Sequence, residues 1–98
     1  MEKQTAHYPL ADIKILVNEG KVSATRAALT GAASMGFNFE DMQAVILSLE
    51  SGDLYKSMTT HSDHTVWQDV YHFPSKAGDV YLKLSIVGDV LIVSFKEL

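Results

Sequence analysis

Lys56, Met58, Gln68, His72, Tyr81, Lys83, Ser94 and Lys96 fall at alternating positions along four β-like stretches in the second half of the chain. If those stretches pair as neighbours, the eight side chains meet on one sheet face. Cations, a phenol, an imidazole and a carboxamide together suit cleavage of an RNA phosphodiester without a metal. The 2′-hydroxyl must lose a proton, the leaving 5′-oxygen must gain one, and the charge on the phosphorane must be stabilised. Crowding among the lysines is what would let one of them act as a base. DNA has no 2′-hydroxyl, so the same chemistry selects RNA. A sheet face bearing a few aromatics also suits single-strand binding, in which bases stack on rings and cations hold phosphates. The same pattern equally describes a solvated sheet face with no ligand.

Other constellations are weaker. His61-Ser62-Asp63-His64 holds every residue type of a serine-hydrolase triad, but triad members converge from distant positions and the strand–Gly-x-Ser-x-Gly–helix context is missing. The segment reads as a polar turn in which Asp63 bonds its own backbone. Two histidines three apart in such a turn make an inadequate metal site. The six glycines fall singly, so there is no phosphate-cradling loop, and neither a nucleotide cofactor nor a metal is expected. With no cysteine, a disulfide scaffold, a thiolate zinc site and a cysteine nucleophile are excluded together. Met35, Phe37, Phe39 and Met42 read as core.

The elements that position the sheet face follow from a change of period. Pro9 at the first helical position, Leu10, Ile13, Leu16 and Val17 at helical spacing, and Gly20 past the end predict a first helix. Ser23 as cap, then Ala24, Ala27, Ala28, Ala32 and Met35 up to Gly36, predict a second, with Gly31 an internal weak point. Asn38 as cap, Glu40 and Asp41 in the first turn, and Met42, Val45, Ile46 and Leu49 as stripe predict a third that ends at Ser51-Gly52. After Gly52, β-branched and aromatic residues dominate Leu54–Thr59, Thr65–Phe73, Val80–Val87 and Val90–Phe95, which predict four strands. Lys21-Val22 suggests a short extra strand. The fold class is therefore α+β, with N-terminal helices packed on one face of a largely antiparallel sheet whose other face is open.

Gly88-Asp89 is the signature of a two-residue type II′ hairpin. It sets Val87 opposite Val90, Leu82 opposite Phe95, Leu84 opposite Val93 and Ile86 opposite Leu91 on an apolar face. Tyr81 then opposes Lys96, Lys83 opposes Ser94 and Ser85 opposes Ile92 on a polar one. Phe73 opposite Val80 would bring His72 to Tyr81 and Gln68 to Ser85, and Thr59 opposite Thr65 would bring Lys56 to Gln68. That arrangement puts Asp69 on the apolar face and Val66 and Val70 on the open one, so this strand does not alternate cleanly.

Size and charge bound the rest. Ninety-eight residues, 47% apolar and 20% charged, make one domain spanning 1–98. Eight basic against twelve acidic residues give a net charge of −4, so any nucleic-acid contact must come from a local cation cluster. No apolar run approaches membrane-spanning length and Met1-Glu2-Lys3-Gln4-Thr5 lacks a signal core, so the cytoplasm is the expected location.

The block Tyr55-Lys56-Ser57-Met58-Thr59-Thr60, then Ser62-Asp63-His64-Thr65, Trp67-Gln68-Asp69-Val70-Tyr71, Val80-Tyr81-Leu82-Lys83-Leu84 and Asp89-Val90-Leu91-Ile92-Val93-Ser94-Phe95-Lys96-Glu97 strongly resembles the motility quorum-sensing regulator toxin family. Met1-Glu2-Lys3 and Lys14 to Asn18 extend the likeness over essentially the whole chain. The resemblance implies a RelE-like microbial ribonuclease architecture and the toxin of a type II toxin–antitoxin pair. It implies an mRNA interferase that cuts at GC-containing sequences, needs neither metal nor ribosome, and so inhibits translation. Lys56, Gln68 and Tyr81 match the family's proposed catalytic positions, and Tyr55, Met58, His72, Lys83 and Lys96 are the accompanying candidate RNA contacts. The implied partner is an antitoxin with a zinc-binding N-terminal domain and a helix-turn-helix C-terminal domain; no direct DNA binding is expected of this chain. His72 stands where the family pattern has arginine, replacing a permanently charged bidentate clamp by a group whose charge depends on pH. The alternative, from a different class, is a catalytically weak toxin-like module whose role is to bind the antitoxin.

Overall fold

A computed structural model describes residues 1–98. Three helices, α1 (Leu10–Asn18), α2 (Arg26–Ser34) and α3 (Phe39–Ser48), pack on one face of a six-stranded sheet, giving the expected α+β arrangement. The strands are β1 (Glu2–Lys3), β2 (Val22–Ala24), β3 (Leu54–Thr59), β4 (Trp67–Phe73), β5 (Val80–Val87) and β6 (Asp89–Glu97). Their spatial order is β1-β3-β4-β5-β6-β2, antiparallel throughout except for β2 alongside β6. None of the helices is long and apolar enough to cross a membrane.

Local chemistry explains where each helix starts. Pro9 occupies the cap position of α1 rather than its first turn, with φ −56° and ψ 130°. Asn38 and Asp41 exchange hydrogen bonds of 2.8 and 2.9 Å in a capping box that opens α3. The start of α2 differs from expectation. Ser23 does not cap it; Val22, Ser23 and Ala24 pair with Val90, Leu91 and Ile92, and Thr25 takes the cap, accepting from the Ala28 N–H at 3.1 Å. The exposed edge of β6 satisfies the backbone of residues 22–24 as a strand, so helix formation is deferred by two residues. The Thr25 hydroxyl also donates to the Val93 carbonyl at 2.9 Å, pinning the helix start to β6. After Ser48 the chain leaves α3 earlier than expected and makes a single 3-10 turn, Ser51–Asp53, before entering β3.

The core lies between helices and sheet. Ile13 and Val17 of α1, Ala28 and Ala32 of α2, and Met42, Val45, Ile46 and Leu49 on or just beyond α3 meet Tyr71, Val80, Leu82, Leu84, Val90, Ile92 and Phe95. Gly31 is a packing requirement: a Cβ there would sit 2.1 Å from the Phe95 carbonyl oxygen, so α2 reaches β6 at this distance only without a side chain. Phe39, expected in the core, is instead partly exposed at the start of α3, whereas Met35 and Phe37 pack against the core edge.

Register decides which side chains face outward. Between β4 and β5 it is as expected, with Phe73 opposite Val80, His72 opposite Tyr81 and Asp69 opposite Leu84. Between β5 and β6 the outer half is also as expected: Tyr81 opposes Lys96, Leu82 opposes Phe95 and Lys83 opposes Ser94. The inner half is shifted by one, so that Leu84 meets Ile92, Ser85 meets Leu91, Ile86 meets Val90 and Val87 meets Asp89 across Gly88 (φ +75°). A bulge that leaves Val93 unpaired absorbs the difference. The shift buries Val90 and Ile92 in the core in place of Leu91 and Val93. Between β3 and β4 the pairing is two residues away from expectation: Lys56 opposes Val70 and Met58 opposes Gln68. A shift of two leaves every side chain on its original face.

Candidate nucleic-acid interface

Two cross-strand rows build the uncovered sheet face. One runs Lys56, Val70, Lys83, Ser94 across β3, β4, β5 and β6; the other runs His72, Tyr81, Lys96 across β4, β5 and β6. Met58 and Gln68 oppose each other beside the first row. Val70 belongs to this open face, as its register requires, yet it is wholly buried. Lys56 and Lys83 flank it in the row, and the aliphatic stem of a lysine is apolar surface of the kind that shields such a residue.

Tyr55 joins the face through a bulge. The β3–β4 register shifts between Leu54 and Lys56, and two consecutive side chains thereby address the same side. The Tyr55 ring stacks on His72 with centroids 4.3 Å apart and an interplanar angle of 16°. His72 in turn lies 6.0 Å from Tyr81, tilted by 42°. Cations surround this aromatic row: Lys56 Nζ is 5.6 Å from the Tyr55 ring, and Lys96 and Lys83 Nζ are 5.1 and 6.0 Å from the Tyr81 ring. Strict alternation gave no reason to put Tyr55 here.

Two of the lysines are shifted in opposite directions. Lys56 Nζ donates to Glu2 Oε1 at 2.6 Å, and this bond raises the lysine above its ordinary range while lowering the glutamate below its own. Lys83 is moved the other way, first by burial and then by the positive charges of Lys96 and Lys56. A carboxylate partner favours the charged form of one lysine, and burial with like charges disfavours it in the other. Glu2 was not among the residues singled out from sequence. It arrives through β1, whose antiparallel pairing sets Glu2 opposite Met58 and Lys3 opposite Ser57. A two-residue strand has no periodicity to read.

The opposite face of β4 secures β1. Asp69, fully buried, accepts from the His7 N–H (3.1 Å), the Tyr8 N–H (2.9 Å) and the Ser57 hydroxyl (2.5 Å). His7 stacks on Trp67 with centroids 4.9 Å apart, and Lys3 Nζ sits 4.2 Å from the same indole. This accounts for a carboxylate on the helix-facing side. The His61–His64 segment is an exposed turn, in which Asp63 accepts from the Thr65 N–H at 2.8 Å and the Thr65 hydroxyl at 2.5 Å.

The structure therefore brings together Tyr55, Lys56, Met58, Gln68, His72, Tyr81, Lys83 and Lys96, from four adjacent strands, on one open surface. Residues 5–97, all but the chain ends, match the model of the family described as motility quorum-sensing regulator, toxin of MqsA. The chain belongs to that family. It is also similar to the mRNA interferase toxin MqsR of Escherichia coli (strain K12), with 55% identity over 97 residues and 99% of each chain covered. Membership in this toxin family gives the chain an antitoxin as its class of partner.

Proposed function

We propose that this toxin-family chain is a cytoplasmic endoribonuclease that cuts mRNA at GC-containing sites, without metal or ribosome, at the open sheet face. Its antitoxin would carry a zinc-binding N-terminal and a helix-turn-helix C-terminal domain. One observation carries the reading: a row of three rings, Tyr55, His72 and Tyr81, flanked by Lys56, Lys83 and Lys96 on a face that no helix covers. Rings accept unstacked bases and ammonium groups accept phosphates, which is what a single RNA strand requires. The name of the Escherichia coli relative, an mRNA interferase, supports the same substrate class.

The mechanism follows from the unequal lysines. Lys56, held charged by Glu2, and Lys96 neutralise the scissile phosphate and the charge that grows on it. Lys83, whose proton burial and two like charges loosen, takes the proton of the 2′-hydroxyl as the 2′-oxygen attacks phosphorus. The bond to the 5′-oxygen breaks, and that oxygen receives a proton from Tyr81 or His72, leaving a 2′,3′-cyclic phosphate and a 5′-hydroxyl. Gln68 positions the strand through its carboxamide, next to Met58.

The test is incubation of the antitoxin-free protein with a GC-rich RNA in excess EDTA, beside Lys56→Ala. Cyclic-phosphate and 5′-hydroxyl ends, formed about 10²–10³ times more slowly by the variant and absent when the scissile nucleotide is 2′-deoxy, support the reading. Failure of the folded protein to cut several RNAs would sink it and favour an antitoxin-binding module.

A further inference from the structure

Glu2 brings a negative charge to a face otherwise suited to a polyanion. The pairing of β1 with β3 puts it on the open side beside Met58, and its carboxylate reaches Lys56 Nζ at 2.6 Å across a sequence separation of 54 residues. The other carboxylates of the sheet are placed elsewhere: Asp69 is buried under the N-terminal segment, Asp89 lies beside the Gly88 turn, and Glu97 sits opposite Val80. A negative charge here must weaken RNA binding through simple repulsion. Its compensating effect is geometric. A lysine side chain is rich in rotamers, and its point charge can be placed by any of several of them. One strong, charge-assisted bond to a carboxylate fixed in a strand selects one placement, and the ammonium keeps two further N–H groups for phosphate oxygens.

We propose that Glu2 is a positioning residue for Lys56, fixing its ammonium over the sheet before the scissile phosphate arrives. The proposal rests on the nuclease reading of the face. It separates two consequences of one side chain: the hydrogen bond serves turnover, whereas the charge works against binding. The amide of Glu2→Gln retains an acceptor and loses the charge; Glu2→Ala loses both.

The experiment measures kcat and KM on a GC-rich RNA for the wild type, Glu2→Ala, Glu2→Gln and each variant combined with Lys56→Ala. Misplacement of the ammonium predicts that Glu2→Ala lowers kcat about tenfold, in keeping with the cost of small displacements in active sites. Glu2→Gln is expected to recover most of that loss and to show a KM about two- to threefold below the wild type, because ground-state repulsion has gone. In the Lys56→Ala background both substitutions should change the residual rate by less than about twofold, since the effect acts through Lys56. The Lys56 ammonium, followed by NMR titration, should fall back toward its ordinary range in Glu2→Gln, a change that a purely structural β1 would not produce. A wild-type kcat in Glu2→Ala, a faster one, or a tenfold loss that persists without Lys56 would each overturn the proposal. Inactivity of the wild-type protein would reject the nuclease reading itself and is recognised from that sample alone.

Discussion

The Tyr55 ring lies parallel to the His72 imidazole, 4.3 Å from it, although the two residues come from adjacent strands and do not sit opposite each other in the ladder. The bulge in β3 makes this stack possible, and the stack leaves Tyr55 half exposed beside the cations. An unpaired base has a ready continuation of that stack. Tyr55→Ala should weaken binding of an uncleavable 2′-deoxy GC-rich RNA about tenfold, the scale of one lost base–aromatic contact. Fluorescence anisotropy on the labelled strand reads this directly, and an unchanged affinity would remove Tyr55 from the interface.

Lys83 yields a prediction with a defined sign. Burial and the charges of Lys96 and Lys56 lower its ionisation in the folded protein below 10.5, so the unfolded chain binds its proton more tightly. Its contribution to stability is complete above about pH 10.5 and is lost as pH falls through the lowered folded value, leaving a penalty at neutral pH. Lys83→Met should therefore raise the melting temperature at pH 7, with the gain shrinking at pH values near 10.5. The same variant should lose cleavage, because the base for the 2′-hydroxyl is gone. Thermal melts at several pH values check the first outcome; a melting temperature lowered at pH 7 would contradict it.

Asp69 holds the N-terminal segment by accepting two backbone N–H groups and the Ser57 hydroxyl. Asp69→Ala removes one side chain and strands three donors, so a loss of about 2–4 kcal/mol is expected in urea unfolding. Hydrogen exchange should then accelerate at Thr59, whose N–H donates to the Met1 carbonyl at 2.9 Å, because β1 depends on the anchor behind it.

Gly31→Ala sets two magnitudes against each other. Helix propensity favours alanine by about 1 kcal/mol, but the new Cβ would meet the Phe95 carbonyl at 2.1 Å, and backbone on both sides must move. Overpacking of this kind costs about 1–3 kcal/mol, so a net destabilisation is expected in the same urea assay.

The face was legible in the sequence because parity is a local property. Lys56, Gln68, Tyr81 and Lys96 needed only strand assignments and a register correct to an even number of residues, and the two-residue difference between β3 and β4 cost nothing for that reason. What the sequence did not show depended on partners far along the chain. Thr25 displaces Ser23 as cap because β6 offers residues 22–24 a ladder. Tyr55, a candidate from the family resemblance but not from strand alternation, and Val93 owe their positions to bulges, which relieve mismatches between strands rather than within one. Glu2 lies in a strand of two residues that pairs with Ser57 and Met58 far along the chain, and the segment following it is held by Asp69.

Both rims of the sheet end in very short strands: β1 has two residues and β2 has three. A row of unpaired backbone groups is normally an invitation to a neighbouring chain, and its strength grows with its length. The outermost strands of this sheet thus offer few backbone groups of their own for a second copy to extend, while the broad face between them stays uncovered.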